Sequence, residues 1–182
     1  PFITIQGAGV NCTSITAMTG TDMLWMLETA DSLGQTGANI GLNGATLPSQ
    51  IGISDININT NGARITALRL VRYQHFKLFN CFITGGWNFS IAEDSECGVW
   101  LQSIGNATTT TDFRMHNTSI TGFSNGIFCQ DPVTDTRISF SKLSVCYRGI
   151  NSYPINNDGP VRVSIDHSIL TNIKDWGLYN SS

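Results

Sequence analysis

Charge is the first thing this 182-residue chain is short of. Lys, Arg, Asp and Glu make up 13% of it, about half the usual share. Only three lysines and three glutamates are present, which excludes a coiled coil or a long salt-bridged helix. Ten Lys and Arg stand against 13 Asp and Glu, with a net charge of −3 and a pI near 5.4. No basic run exists to follow a phosphate backbone, so nucleic acid is not an expected partner. No apolar run reaches the roughly 20 residues of a membrane-spanning helix, and none resembles a signal peptide, so no membrane insertion is expected. The five cysteines (Cys12, Cys81, Cys97, Cys129 and Cys146) are odd in number and lack metal-ligand spacing. They read as reduced, buried thiols. No P-loop, dinucleotide fingerprint or acidic calcium loop occurs, and the sequence predicts neither metal nor cofactor.

Small polar residues are abundant instead: 20 Thr, 17 Ser and 16 Asn, beside 18 Gly and 20 Ile. Recurrent Ile and Leu with little net charge argue against disorder. The chain opens on Pro1 rather than Met, and the expectation is a segment of a longer protein.

The second half repeats. An apolar–x–apolar core occurs at Phe113/Met115, Ile138/Phe140 and Val163/Ile165, 25 residues apart each time. Phe76/Leu78 and Ile56/Ile58 are earlier candidates. A glycine followed by an apolar residue returns at Gly98, Gly126, Gly149 and Gly177, at intervals of 28, 23 and 28. Each unit thus holds two or three short strands of period two, joined by Asn, Gly, Ser and Asp turns. Asn suits bends that need the left-handed conformation and can hydrogen-bond its own column. One unit is too short to bury its own apolar face, and stacked units bury it together. The reading is an all-β, single-stranded parallel β-helix with rungs about 4.8 Å apart. A β-sandwich also has short alternating strands, but it gives no reason for the glycine element to return after the same strand. Nearer the start, residues 3–9, 13–18 and 52–62 read as strands. Residues 23–27 read as a strand, with a short helix over 23–33, Asp22 near its cap, as the alternative. Residues 34–50 read as a Gly-rich loop.

The strings PFITIQGAG (1–9), GISDINI (52–58), FKLFNCFITGG (76–86) and FRMHNTSITGFSNGIFC (113–129) resemble pectin-lyase-type right-handed parallel β-helices. More narrowly, they resemble the β-helical body of bacteriophage tailspikes and capsule depolymerases. The resemblance covers nearly the whole chain and rests on strand rhythm and turn chemistry. It implies residues 1–182 are one partial β-helical domain, without the attachment and trimerisation regions of such spikes. It further implies a homotrimer on a virion tail that binds bacterial surface polysaccharide, capsule or O-antigen, and often cleaves it. Catalytic residues vary between tailspikes, so none is carried over.

A packed β-helical core leaves function to the outer faces and loops. The position two after each repeat glycine reads Trp100, Phe128, Asn151 and Tyr179. By alternation with Val99, Ile127, Ile150 and Leu178, this column points outward. It is a candidate sugar-stacking strip, the alternative being cover by a loop or a neighbouring subunit. The interval from Phe76 to Phe113 is 37 residues, with the surplus near 84–97. That loop holds Glu93, Asp94 and Glu96 beside Trp87 and Phe89. Glycoside hydrolysis needs two carboxyl groups, one of raised pKa. The loop supplies candidates, with Asp131 or Asp135 as partner and Arg137 to orient an acidic sugar. A solvated acidic loop and a Pro132 turn are the plain structural alternatives. A His116, Ser141, Asp166 column spans about 10 Å over two rungs, too far for a triad. Basic candidates for elimination (His75, Lys77, Arg72, Lys142, Arg148 and Lys174) are scattered. The leading expectation is a tailspike segment that binds and hydrolyses a surface glycan. The alternatives are a non-catalytic adhesin shaft and a pectate-lyase-like polysaccharide lyase.

Overall fold

Strands this short, with apolar residues two apart, bury nothing alone; the chain stacks them. The computed structural model describes residues 2–18, 25–28, 50–71, 75–88, 95–102, 110–130, 133–153 and 162–180. Its strands in chain order begin with β1 (Phe2–Gln6), β2 (Ser14–Thr16), β3 (Trp25–Glu28), β4 (Gln50–Ser54), β5 (Asn57–Asn59) and β6 (Thr66–Val71). Next come β7 (Phe76–Phe79), β8 (Phe82–Thr84), β9 (Cys97–Gln102), β10 (Thr110–Thr111), β11 (Phe113–His116) and β12 (Ser119–Gln130). The last are β13 (Val133–Thr134), β14 (Thr136–Ser139), β15 (Lys142–Tyr153), β16 (Val163–Asp166) and β17 (Ile169–Asn180).

Among the described residues every strand pairing is parallel. One six-stranded sheet runs β1–β4–β7–β11–β14–β16. The other large sheet runs β2–β5–β8–β12–β9–β6–β3, with β15 and β17 stacked beyond β12. The first half of β12 pairs with β8 and its second half with β9. Two separate strands in the early part of the chain therefore become one bent strand of 12 residues in β12, β15 and β17. The bend places Gly122, Val145 and Asn172 at positive φ, one over the other. The fold is an all-β parallel solenoid, as the repeat predicts.

The core is built of columns. Ile58, Ile83, Ile120 and Leu143 stack on one wall. Ile53, Leu78, Met115 and Ile138 stack on a second, and Leu68, Val99, Ile127 and Ile150 on a third. All are buried, and each contributes about 1.5–3 kcal/mol by leaving water. Four of the cysteines join this core as free thiols, while Cys12 is exposed. Burial pushes the Cys129 thiol up to about 12 and the Cys146 thiol up to about 11, so both act as small apolar fillers.

The repeat glycines have a packing reason. A Cβ on Gly126 would stand 2.6 Å from the Gly149 carbonyl oxygen, and one on Gly149 2.6 Å from that of Gly177. The intervals of 28, 23 and 28 are the rung register itself, since Val99, Ile127, Ile150 and Leu178 pair in turn.

The strand-core register departs from the even spacing of 25. Met115 pairs with Ile138, and Ile138 with Ile165, which sets Thr136 over Phe113. A two-residue slip preserves the alternation, so a search for apolar pairs slides past the buried Thr136. Ile56 and Ile58 are not the partners of Phe76 and Leu78 either; Ile51 and Ile53 are. Trp25–Glu28 is strand, paired with β6, rather than helix. The Gly-rich stretch before Gln50 lies outside the described residues.

Candidate functional site

Where the six-stranded sheet turns into the second sheet, each rung from β4 onward places one residue in the left-handed region. These are Asp55 (φ 61°), Asn80 (51°), Asn117 (47°), Phe140 (49°) and His167 (44°). Asp and Asn accept this conformation because their short polar side chains bond locally. Here they bond one another: Asn80 Nδ2 donates to Asp55 Oδ1 at 2.6 Å, and Asn117 Nδ2 to Asn80 Oδ1 at 3.2 Å. The hydrogen bond from Asn80 first, then that from Ser54, holds the Asp55 carboxyl below its ordinary value. The next residue of each corner forms an inner ladder. Thr118 Oγ1 accepts from the Cys81 N–H, Ser141 Oγ from the Thr118 N–H and Ser168 Oγ from the Ser141 N–H, at 3.1–3.2 Å. Ser141 therefore belongs to the corner. Ser139 takes the place beside His116, with His116 Nδ1 2.9 Å from Ser139 Oγ, which corrects the His116–Ser141–Asp166 column.

Above Asn117 the corner changes from amides to rings. Phe79 and His116 stack at 5.2 Å, His116 meets Phe140 edge-on at 5.3 Å, and Phe140 stacks on His167 at 4.9 Å. Phe79 is 47% and Phe140 55% exposed. A bulky residue in the left-handed region costs about 1–3 kcal/mol. Ring contacts return about 0.5–1.5 kcal/mol per pair. Backbone strain on an exposed aromatic is a signature of a site rather than of a core.

A groove of about 550 Å³ lies along this corner. Asn11, Asn57, Asn80, Asn117, Phe82 and Phe140 line it, with Lys142 on its wall. Phe82, 38% exposed, projects from the second sheet between Asn57 and Ser119 in the cross-strand column. After their ladder bonds, Asn80 and Asn117 each keep an N–H and acceptor capacity for a ligand. Among the described residues no Asp or Glu lines the groove.

The neighbouring outer face of the six-stranded sheet collects basic residues that are scattered in the sequence. Lys77 pairs with Arg114, and Arg114 with Arg137. At its edge Asp112 binds both His75 Nδ1 (2.8 Å) and Arg114 Nε (2.7 Å). Partial burial opposes ionisation of Asp112. The hydrogen bonds and charges of Arg114 and His75 outweigh it and hold the carboxyl below its ordinary value.

The residues singled out from sequence are spread over several environments. Glu93, Asp94 and Asp131 lie outside the described residues. Glu96 is buried, and its carboxylate forms an ion pair with Arg64. It anchors the start of β9, where the Thr66 hydroxyl also donates to the Ser95 carbonyl at 2.5 Å. Asp135 pairs with Arg162 at 3.2 Å. Arg137 is exposed on the basic face. Trp87 is buried edge-on against Tyr147 at 6.1 Å. Trp100 lies 5.8 Å from Phe128, donates to Gln130 Oε1 at 3.0 Å and carries Arg69 over its ring at 5.1 Å. Phe128 is only 4% exposed and Asn151 2%. The Tyr179 backbone pairs with Asn151, and its side chain lies outside the described residues. The outward column is thus covered within this chain at Phe128 and Asn151, because alternation sets direction and not what lies on top.

The groove and its aromatic corner escaped the sequence reading. Their signal was a polar or aromatic residue directly after each strand core: Asp55, Asn80, Asn117, Phe140 and His167. Comparisons with protein-family models, with curated proteins and with solved structures found no match.

Proposed function

We propose that this chain is a glycan-binding segment of a β-helical shaft that recognises bacterial surface polysaccharide. The groove of asparagine amides with Phe82 and Phe140 carries the reading. Its volume is that of a small-ligand site. A sugar presents hydroxyls at its edges and C–H groups on its faces. Amides bond the former and aromatic rings cover the latter. The stacked corner fixes these groups before any ligand arrives, which lowers the ordering cost of binding. Binding rather than hydrolysis is assigned to this groove, because cleavage needs two flanking carboxyl groups. On this reading, supported by the β-helical fold and by the resemblance to tailspikes, the shaft works in a trimeric spike on a virion tail, outside the host cell.

The test is calorimetric titration with purified capsule and O-antigen polysaccharides, followed by mass analysis of the polymer. Saturable binding with unchanged polymer mass is the expected result. Phe82→Ala and Asn117→Ala should each weaken it about tenfold. Shortened fragments would reassign the face to cleavage, and failure of every glycan to bind would remove the reading.

A further inference from the structure

Three cations stand in file on the outer face of the six-stranded sheet. Lys77, Arg114 and Arg137 are cross-strand partners in consecutive rungs, and all three are exposed. Neighbouring strands are about 4.8 Å apart, and like charges set directly opposite weaken a sheet. Folding alone gives no reason for the file, yet three of the chain's ten Lys and Arg residues are in it. The nearby carboxylates are engaged: Asp112 by His75 and Arg114, Asp135 by Arg162, Asp166 by His167. Among the described residues neither Lys77 nor Arg137 has an ion-pair partner.

The file is continuous with the groove. Two residues along the same strands come Phe79, His116 and Ser139, and one further come Asn80, Asn117 and Phe140. At the rise of a strand these steps span about 7 and 10 Å. A polymer lying along the groove passes beside the cations. We propose that the ligand of this face is an acidic polysaccharide whose carboxylates are taken by Lys77 and Arg137, while the amides and Phe82 hold its uncharged edges. This inference rests on the glycan-binding reading. A guanidinium grips a carboxylate in two parallel hydrogen bonds, and Lys supplies a point charge. Cations one rung apart suit a chain running along the solenoid axis, with successive acidic units meeting successive rungs. A nucleic acid is the poorer fit, because following a phosphate backbone takes a longer basic stripe than the three cations of this file.

The experiment is calorimetry on the 182-residue chain with polygalacturonate, hyaluronan and polysialic acid. Each is set beside its carboxyl-reduced form, with dextran and single-stranded DNA alongside. At least one carboxylated polymer should bind ten times more tightly than its reduced form, and the difference should shrink as salt rises. Lys77→Gln and Arg137→Gln should each weaken that polymer about tenfold and leave the reduced form unchanged. Lys174→Gln makes the same charge change away from this face and should alter neither. Equal binding of carboxylated and reduced forms, or full affinity in the Lys77 and Arg137 variants, overturns the acidic ligand and leaves glycan binding standing. Failure of every carbohydrate to bind overturns both. Preference for DNA over every polysaccharide overturns the inference as well.

Discussion

Two outward-pointing aromatic files run up this solenoid and end in opposite environments. Trp100 and Phe128 lie in one, with Asn151 next in line, and the file is closed over at Phe128 and Asn151. Phe79, His116, Phe140 and His167 form the other, open to solvent at Phe79 and Phe140. The closed file keeps ordinary backbone geometry, and the Trp100 indole N–H donates to Gln130. The open file is strained, with Phe140 held at φ 49°. Direction is a property of the strand, whereas burial is a property of whatever else the chain lays across it. On the proposed reading the closed file serves stability and the open one recognition.

The sharpest way to break this comparison is to truncate one ring in each file. Phe128→Ala should cost about 3–5 kcal/mol, as a buried aromatic does. Phe140→Ala should cost under about 1 kcal/mol, as an exposed one does. Urea unfolding of both variants measures this, and equal losses would erase the distinction. Next in size is the glycine that packs the closed file's strand. Gly126→Ala drives a methyl group into the Gly149 carbonyl and should cost about 2 kcal/mol. An unchanged urea midpoint would mean that the rungs there are looser than their register implies.

Much of the closed file was legible in the sequence, and little of the open one was. The Gly98, Gly126, Gly149, Gly177 spacing transferred directly to the rung register, because close backbone contact at Gly98, Gly126 and Gly149 leaves no room for a Cβ. The apolar pairs misplaced Ile138 by two positions, because a period-two pattern is blind to a two-residue slip when a buried Thr136 fills an inward place. Left-handed asparagines bonded along their own column were expected, and Asn80 and Asn117 are such a pair; the rest of the corner was overlooked because Asp55, Asn80, Asn117, Phe140 and His167 share a backbone conformation and not a chemical type. Lys77, Arg114 and Arg137 are separated by 37 and 23 residues, and only the register makes them neighbours.

Phe140→Asn turns the open file into a continuation of the Asn80–Asn117 ladder. Asn accepts the left-handed conformation far more readily than Phe, and its amide can donate to Asn117. The variant should gain about 1 kcal/mol of stability while losing several-fold in glycan affinity. Thermal unfolding beside a binding titration reads both. A variant that is less stable and binds as well as the parent would show that the ring is there for packing.

The smallest effect separates the two files by acidity. Asp112, at the edge of the open face, has a folded pKa below its unfolded value of about 3.9, owing to Arg114 and His75 against partial burial. Its contribution is therefore present above that unfolded value and lost as pH falls through the folded one. Protonation also strips Arg114 of its counter-charge and leaves it facing Lys77 and Arg137, so repulsion within the cation file grows in the same direction. Between pH 5 and pH 3 the parent should lose about half a kcal/mol more than Asp112→Asn, as expected for a pair near the surface. Parallel stability–pH curves for the two proteins would mean that the basic file is indifferent to its only direct carboxylate partner among the described residues. The repulsion from which an acidic ligand is inferred would then be too weak to matter.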